Sequence, residues 1–341
     1  MATIYDVARA AGVGPSTVSY ALSGKGTIAE ATRAKILRLA EELGYRPNLV
    51  ARSLITQHTH TIGLILPNIA NPFYGEVAQA VERRAHRAGY RVYVANTDGD
   101  ARLGDELLED LAARQVDGVI AMSGGLSLEC IRAASDGGLP VVSCMWNEVD
   151  AGAPAPIDID FAAGGCLAAQ HLLGLGHRDI GLIVEGRAGA KPAHHLRIAG
   201  YHAALAAADM RPADLLMRLG DGSVESGKTA ALALLSLPRP PTAIFATNDL
   251  MALGALAAAW ERGYRVPRDL SVVGFDDIVP AAYVTPPLTT VRIDRIAFMH
   301  AATDYLLAMI DGQPVAPPPM HAPALVIRAS TGPAPARRRQ G

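Results

Sequence analysis

The chain has 341 residues, half of them hydrophobic and 5% aromatic, with three cysteines and a net charge of −2. That length suits a sizeable core and more than one domain. No apolar run approaches the roughly 18 residues of a membrane span, and the widely spaced Cys130, Cys144 and Cys166 form no Cys-x-x-Cys pair, which argues against a disulfide framework or a zinc site.

The small net charge hides an asymmetry. Residues 1–58 carry seven Lys/Arg against four Asp/Glu, a net of +3, and the remainder is at −5. A basic head on an acidic body fits a head that meets phosphate and a body that does not. The first residues lack a basic start followed by an apolar stretch, so no secretory signal is expected and a reducing cytoplasm fits.

From Thr3 to Leu22 the pattern predicts two short helices joined by a tight turn. Thr3 caps the first, with Asp6 placed three residues on for a capping box. Ile4, Val7, Ala8 and Ala11 fall on one apolar face, and Gly12 ends the helix. Pro15 suits the first position of the second helix, where its missing N–H has no partner to lose. Val18 and Leu22 then share an inward face, while Ser16 and Tyr20 point the opposite way with Thr17 and Ser19 beside them. Such a helix suits the major groove of DNA, although many helix pairs are packing units and nothing more. A third helix is expected over 30–43, with Ile36, Leu39, Ala40 and Leu43 as its buried stripe. Pro47 stops it from continuing, and 47–56 reads as a linker with helical tendency or as a hinge helix.

From Thr61 the pattern changes to strand and helix in alternation. Strands are expected at 62–66, 91–95, 118–122 and 141–145, with helices at 73–88, 103–114 and 126–136 between them. A second set has strands at 179–184, 243–246 and 270–275 and helices near 164–173, 194–207, 225–235 and 250–262. Continuous apolar strands alternating with helices predict an α/β body of two doubly wound parallel-sheet lobes behind an all-α head. Late strands are expected at 288–293 and 324–328, returning to the lobes, and the Pro- and Arg-rich tail is expected to be disordered.

Ligands of open α/β sheets bind beyond the carboxyl ends of the strands, and two facing lobes make a cleft. Phe73 and Tyr74 follow the first strand, Trp146 the fourth, Asp158 and Asp160 lie where the chain crosses between lobes, Arg197 opens a helix, and Asn248-Asp249 and Asp276-Asp277 each end a strand. Aromatic faces with Asp, Asn and Arg suit a sugar-like ligand. Arg197 and Asp276 read as ligand residues. Phe73, Tyr74 and Trp146 suit either pocket wall or packing, and Asp158, Asn248 and Asp249 also read as helix caps.

The stretches 3–8, 17–19, 47–54, 62–67, 71–74, 174–181, 197–201, 248–254, 271–277 and 287–291, in this order and spacing, resemble the lac repressor family (LacI/GalR) over nearly the whole chain. The resemblance implies a homodimer whose paired heads bind a roughly palindromic double-stranded DNA operator and whose two lobes, of periplasmic-binding-protein type, bind a small-molecule effector. It divides the chain into a helix-turn-helix head at 1–46, a hinge helix and linker at 47–60, a two-lobed effector and dimerisation domain at 61–331 and a tail at 332–341. It places DNA contacts at Thr3, Tyr5, Pro15, Ser16, Thr17, Ser19, Tyr20, Asn48, Ala51 and Arg52, with Leu54 as a wedge in the minor groove. It places effector contacts at Phe73, Tyr74, Trp146, Asp160, Arg197, Asn248 and Asp276. Where many relatives have Asp-Asn at the lobe crossing, this chain has Asp160-Phe161. The cationic stretch 191–195 suggests an acidic effector, a sugar acid or sugar phosphate, or else an exposed loop. No heptad pattern precedes the Arg337–Arg339 run, so a dimer rather than a tetramer is expected. No cofactor or metal is expected: the first strand–helix turn has no Gly-x-Gly-x-x-Gly, Walker A and Gly-x-Ser-x-Gly are absent, and the ten histidines lack metal-ligand spacing. Those absences argue against an enzyme, and the head argues against a solute receptor.

If Leu54 is the wedge, Leu54→Ala weakens operator binding in a gel shift and leaves effector binding by calorimetry unchanged. Loss of both together contradicts the assignment.

Overall fold

The computed structural model describes residues 2–23, 27–45, 58–146, 152–186, 195–210 and 216–335. The chain divides into two compact units, Met1–Thr59 and His60–Gly341.

Among its described residues the first unit has the helices α1 (Ile4–Ala11), α2 (Pro15–Ser23) and α3 (Glu30–Glu42). The capping box forms: the Thr3 hydroxyl accepts from the Asp6 N–H, and the Asp6 carboxylate accepts from the Thr3 N–H at 2.9 Å. Gly12 ends α1 at φ 71°, the left-handed position that spares a Cβ. The core consists of Val7, Ala8, Ala11, Val18, Ala21, Ile36 and Ala40, with Leu22 and Leu39 half-buried against it. Lys35 reaches from α3 to donate to the Ala11 carbonyl at 3.0 Å, placing a cation at the C-terminal end of α1. Leu43 does not join the stripe. It is 42% exposed at the C-cap of α3, and Tyr45 packs on the cluster instead.

In the second unit, lobe 1 has a parallel sheet ordered β2-β1-β3-β4-β5, from β1 (Thr61–Leu66), β2 (Arg91–Asn96), β3 (Gly118–Met122), β4 (Val141–Cys144) and β5 (Pro156–Ile157). Its strands are apolar throughout because both faces are covered. Ile62, Leu64 and Leu66 face α4 (Pro72–Arg87). Ile65 faces the opposite core, with Leu108 and Leu111 of α5 (Ala101–Ala113) and Ile131 of α6 (Leu128–Asp136). Lobe 2 has a sheet ordered β11-β10-β9-β8-β6-β7, parallel except for β10–β11. Its strands are β6 (Ile180–Glu185), β7 (Met217–Gly220), β8 (Ala243–Ala246), β9 (Ser271–Asp276), β10 (Thr289–Arg292) and β11 (Ala324–Val326). Helices α7 (Phe161–Gly174), α8 (His195–Ala207), α9 (Val224–Leu235) and α10 (Asp249–Glu261) cover it.

The alternation predicted from the sequence holds, with three additions. The short β5, the strand β7 and a late helix α11 (Arg295–Ile310) were not expected. That helix leaves lobe 2 and packs on α4, β3 and β4 of lobe 1. The crossing strands meet where His321 accepts from the Asp160 N–H and donates to the Asp158 carbonyl, each at 2.9 Å. The tail stays attached further than its composition suggests: Gly332 bonds to Ser271 and Ala334 to the Leu175 carbonyl. His177, fully buried, holds Thr242, Ser271 and the Gly332 carbonyl around its ring. Burial keeps its pKa below the usual histidine value. Residues 46–57, which include the expected hinge, lie outside the described residues. Among the described residues no helix is long and apolar enough to cross a membrane.

Helices α7 and α8 cross backbone to backbone. A Cβ on Gly165 would lie 1.9 Å from the Arg197 carbonyl oxygen, and one on Gly200 1.9 Å from that of Ala162. Gly200→Ala therefore forces the two helices apart and is expected to cost about 2 kcal/mol or more of unfolding free energy, read by chemical denaturation. Unchanged stability would show that the crossing relaxes freely.

Candidate functional site

In the first unit, Tyr5 (66% exposed) and Tyr20 (54%) present large rings to solvent, with Ser16 and Ser19 also exposed and Pro15 and Thr17 half-buried. The outward face of α2 is therefore polar and aromatic, as its spacing predicts. The Thr3 hydroxyl is taken up by the cap, donating to Asp6 at 2.7 Å, and those hydrogen bonds hold the Asp6 carboxyl below its ordinary value.

In the second unit, Arg197 extends from the first turn of α8 to the carboxyl ends of β8 and β9. Its guanidinium carbon lies over two rings, 4.5 Å from the Phe161 centroid and 4.3 Å from that of Phe275, which stand 6.2 Å from each other and tilted by 37°. Nη1 donates to the Thr247 carbonyl at 2.6 Å and stands 3.9 Å from Asp276 Oδ1, with both side chains under a tenth exposed. The tight α7–α8 crossing produces this: Phe161 and Gly165 share one face of α7, and Gly165 admits the Arg197 backbone. A cation stacked on desolvated aromatic faces gains about 2 kcal/mol per good contact, which offsets part of the cost of its burial.

The strand β9 ends in unusual backbone, with Asp276 at φ 113° and Asp277 at φ 56°. Aspartate tolerates the left-handed position of Asp277, but a non-glycine residue stays at the φ of Asp276 only when its surroundings hold it. Arg295 donates to the Asp276 carbonyl at 3.2 Å, and Arg328 to the Asp277 carboxylate at 2.6 Å. Beneath them Asp249 is fully buried, accepting from Thr290 Oγ1 at 2.6 Å and from the Ile278 N–H at 2.9 Å. Burial, and then the neighbouring Asp276 charge, push its carboxyl well above the usual value, outweighing those two hydrogen bonds.

A helical head and two parallel-sheet lobes, the second with a buried arginine–aspartate pair at its strand ends, now have a counterpart among known proteins. Residues 3–48 match the model of bacterial regulatory proteins, lacI family, and residues 169–331 that of the periplasmic binding protein-like domain. The HTH-type transcriptional regulator DegA of Bacillus subtilis (strain 168) is 38% identical over 292 residues, 85% of this chain and 86% of that protein. The ribose operon repressor of Escherichia coli (strain K12) is 37% identical over 313 residues, 91% and 93% of the two chains. The chain belongs to the lacI family of bacterial regulatory proteins. Among solved structures, a lac repressor dimer bound to operator and the anti-inducer ONPF aligns with a TM-score of 0.87 at 31% identity, covering 97% of this chain and 99% of that one. A LacI-family regulator from Enterococcus faecium with bound ribose aligns at 0.71 with 28% identity, covering 80% and 99%. This lacI-family chain is a DNA-binding regulator of transcription.

Of the effector residues predicted for this lacI-family chain, the structure brings Arg197 and Asp276 together and sends others elsewhere. Trp146 is 1% exposed and its indole N–H donates to the Ala121 carbonyl at 3.1 Å inside lobe 1. Phe73 is likewise buried on the inner side of α4, with Tyr74 half-buried and edge-on to it at 5.1 Å. Asn248 caps α10, accepting from the Met251 N–H at 2.8 Å, and its amide donates to Glu185 and to the Gly222 carbonyl. Asp160 caps α7 through the Ala163 N–H at 2.8 Å. Asn48, Ala51, Arg52 and Leu54, and the cationic residues 191–194, lie outside the described residues. Phe275 and Thr247, as partners of Arg197, carry no signal along the chain. Phe161 stands out only as a departure from the family pattern, which was the available signal.

The Asp249 carboxyl gives a signed pH dependence. Its folded pKa is raised, so its contribution to stability is complete below the ordinary value of 3.8 and is lost as pH rises through the folded pKa. Asp249→Asn removes that slope, so the melting temperature of the variant gains on the native chain as pH rises above about 4. Parallel pH profiles would show that Asp249 stays ionised.

Proposed function

We propose that the chain is a homodimeric repressor. Its paired heads read a roughly palindromic operator through Pro15, Ser16, Thr17, Ser19 and Tyr20, with Tyr5 beside them. Its hinge, with Asn48, Ala51, Arg52 and Leu54, orders on the minor groove. A sugar or sugar-like effector between the lobes, held at Arg197 and Asp276, controls operator affinity. The observation that carries this reading is the buried guanidinium at the carboxyl ends of two strands, packed over the Phe161 and Phe275 rings and beside a carboxylate. Guanidinium and carboxylate together donate to and accept from vicinal hydroxyls. Two relatives bear on the ligand class: one is named a ribose operon repressor and one was solved with ribose. The partner being duplex DNA, the protein acts in the cytoplasm, and no catalysis is assigned to it.

The second copy has surfaces to meet. On lobe 2, Trp260 is 84% and Tyr283 83% exposed. Beside them lies a groove of ≈ 330 Å³ lined by Leu253, Leu256, Ala257, Trp260, Val284 and Thr285. On lobe 1, the edge strand β2 exposes Tyr93 and Val94. Large apolar side chains left in solvent on two lobes fit a self-complementary interface running the length of the dimer.

The test is a thermal-shift screen of sugars, sugar acids and sugar phosphates, followed by gel shifts on palindromes near the gene's own promoter. A hit raises the midpoint with concentration, and the operator complex weakens steeply with salt. Asp276→Ala keeps operator binding and loses the effector response. A chain that forms no sequence-specific, salt-sensitive complex overturns the proposal.

A further inference from the structure

Glu76, in the second turn of α4, belongs to lobe 1, yet its carboxylate is held by residues at the lobe 2 effector site. Its Oε2 accepts from Arg295 Nε at 2.7 Å and from Nη2 of the same side chain, and its Oε1 accepts from the Val279 N–H at 3.3 Å. The third nitrogen of Arg295, Nη1, donates to the Asp276 carbonyl. One planar fork therefore ties a carboxylate of lobe 1 to the main chain of the residue that faces Arg197. The side chains are 11% and 26% exposed, so solvent screens the pair little.

We propose that Arg295 is a positioning residue for the effector site, and that the Glu76–Arg295 pair couples the placement of Asp276 to helix α4 of lobe 1. The guanidinium is rigid and presents its donors in one plane. Hydrogen bonds weaken steeply beyond a few tenths of an ångström or some tens of degrees of misalignment. A displacement of α4 relative to β9 cannot keep the bonds to Glu76, to the Asp276 carbonyl and from the Val279 N–H together. Asp276 stands at φ 113°, a conformation its surroundings must hold. Releasing its carbonyl frees that peptide to turn and moves the carboxylate away from Arg197. The reverse follows by linkage: a ligand that fixes Asp276 favours the position of α4 in which the fork is closed. The role given to Asp276 rests on the reading of the interlobe site above.

Hydrogen–deuterium exchange of the full-length protein without effector tests this, so a wrong effector class leaves the result interpretable. Glu76→Gln and Arg295→Met each speed exchange roughly tenfold in peptides spanning 277–283 and 73–78. Peptides from β1 and β8 are unchanged, and the double variant goes no further than either single one. Arg295→Lys, the mildest change, gives the same pattern because an ammonium lacks the planar fork. The reversed pair Glu76→Arg with Arg295→Glu restores opposite charges but not protection. Its arginine has no acceptor for the Val279 N–H, and its glutamate has no donor for the Asp276 carbonyl. Native protection in the single variants, effects that add in the double variant, rescue by the reversed pair, or faster exchange throughout β1 and β8 would each overturn the proposal.

Discussion

A guanidinium buried at the carboxyl ends of two strands of lobe 2 sets the terms for the rest of the effector unit. Taking a cation out of water costs several kcal/mol unless its donors and its charge are met. Arg197 meets part of that demand with two ring faces, a main-chain carbonyl and a carboxylate, drawn from α7, β8 and β9. Each contribution fixes something else. The ring of Phe161 fixes where the chain enters lobe 2. The Thr247 carbonyl fixes the end of β8. The Asp276 carboxylate requires a turn in which two successive aspartates adopt positive φ. The glycines at the α7–α8 crossing follow from the same demand, because any larger residue would hold the arginine backbone away from Phe161.

Anion chemistry in this corner is layered by depth. Asp249, fully buried and below the turn, has its charged form disfavoured, and with its hydrogen bonds from Thr290 and Ile278 it serves as a strut. Asp277 is paired with Arg328 and closes the turn from the side of β11. Asp276, between them, faces Arg197. Three aspartates of similar sequence context thus have three roles, set by burial and by which cation reaches each.

The head works under a different constraint. Three short helices bury few side chains, seven of them apolar and mostly alanine or valine. A core of that size leaves little margin, so the capping box at Thr3 and the Lys35 bond to the end of α1 carry a larger share than such contacts do in a big domain. It also leaves tyrosines on the outer face with no core to join, which suits a surface that meets another molecule.

Much of this was legible along the chain. The Thr3–Asp6 cap, the Gly12 stop, the outward Ser16 and Tyr20, and most strands and helices of both lobes follow from interactions among residues three or four apart, or from the apolar runs of strands buried on both faces. The sequence by itself also placed Arg197 and Asp276 at strand and helix ends that open on a cleft. Only the tertiary structure decided which polar and aromatic residues at such ends come together and which cap helices or pack inward. Trp146 turned inward because the Ala121 carbonyl offers its indole N–H a partner, and Asn248 became a cap because α10 starts beside it. The packing of Arg197 over Phe161 and Phe275, and the Glu76–Arg295 pair 219 residues apart, have no local signature. They exist because helices packed on different strands bring their first turns to one place, and a side chain's role there depends on which neighbour arrives rather than on the residues beside it in the chain.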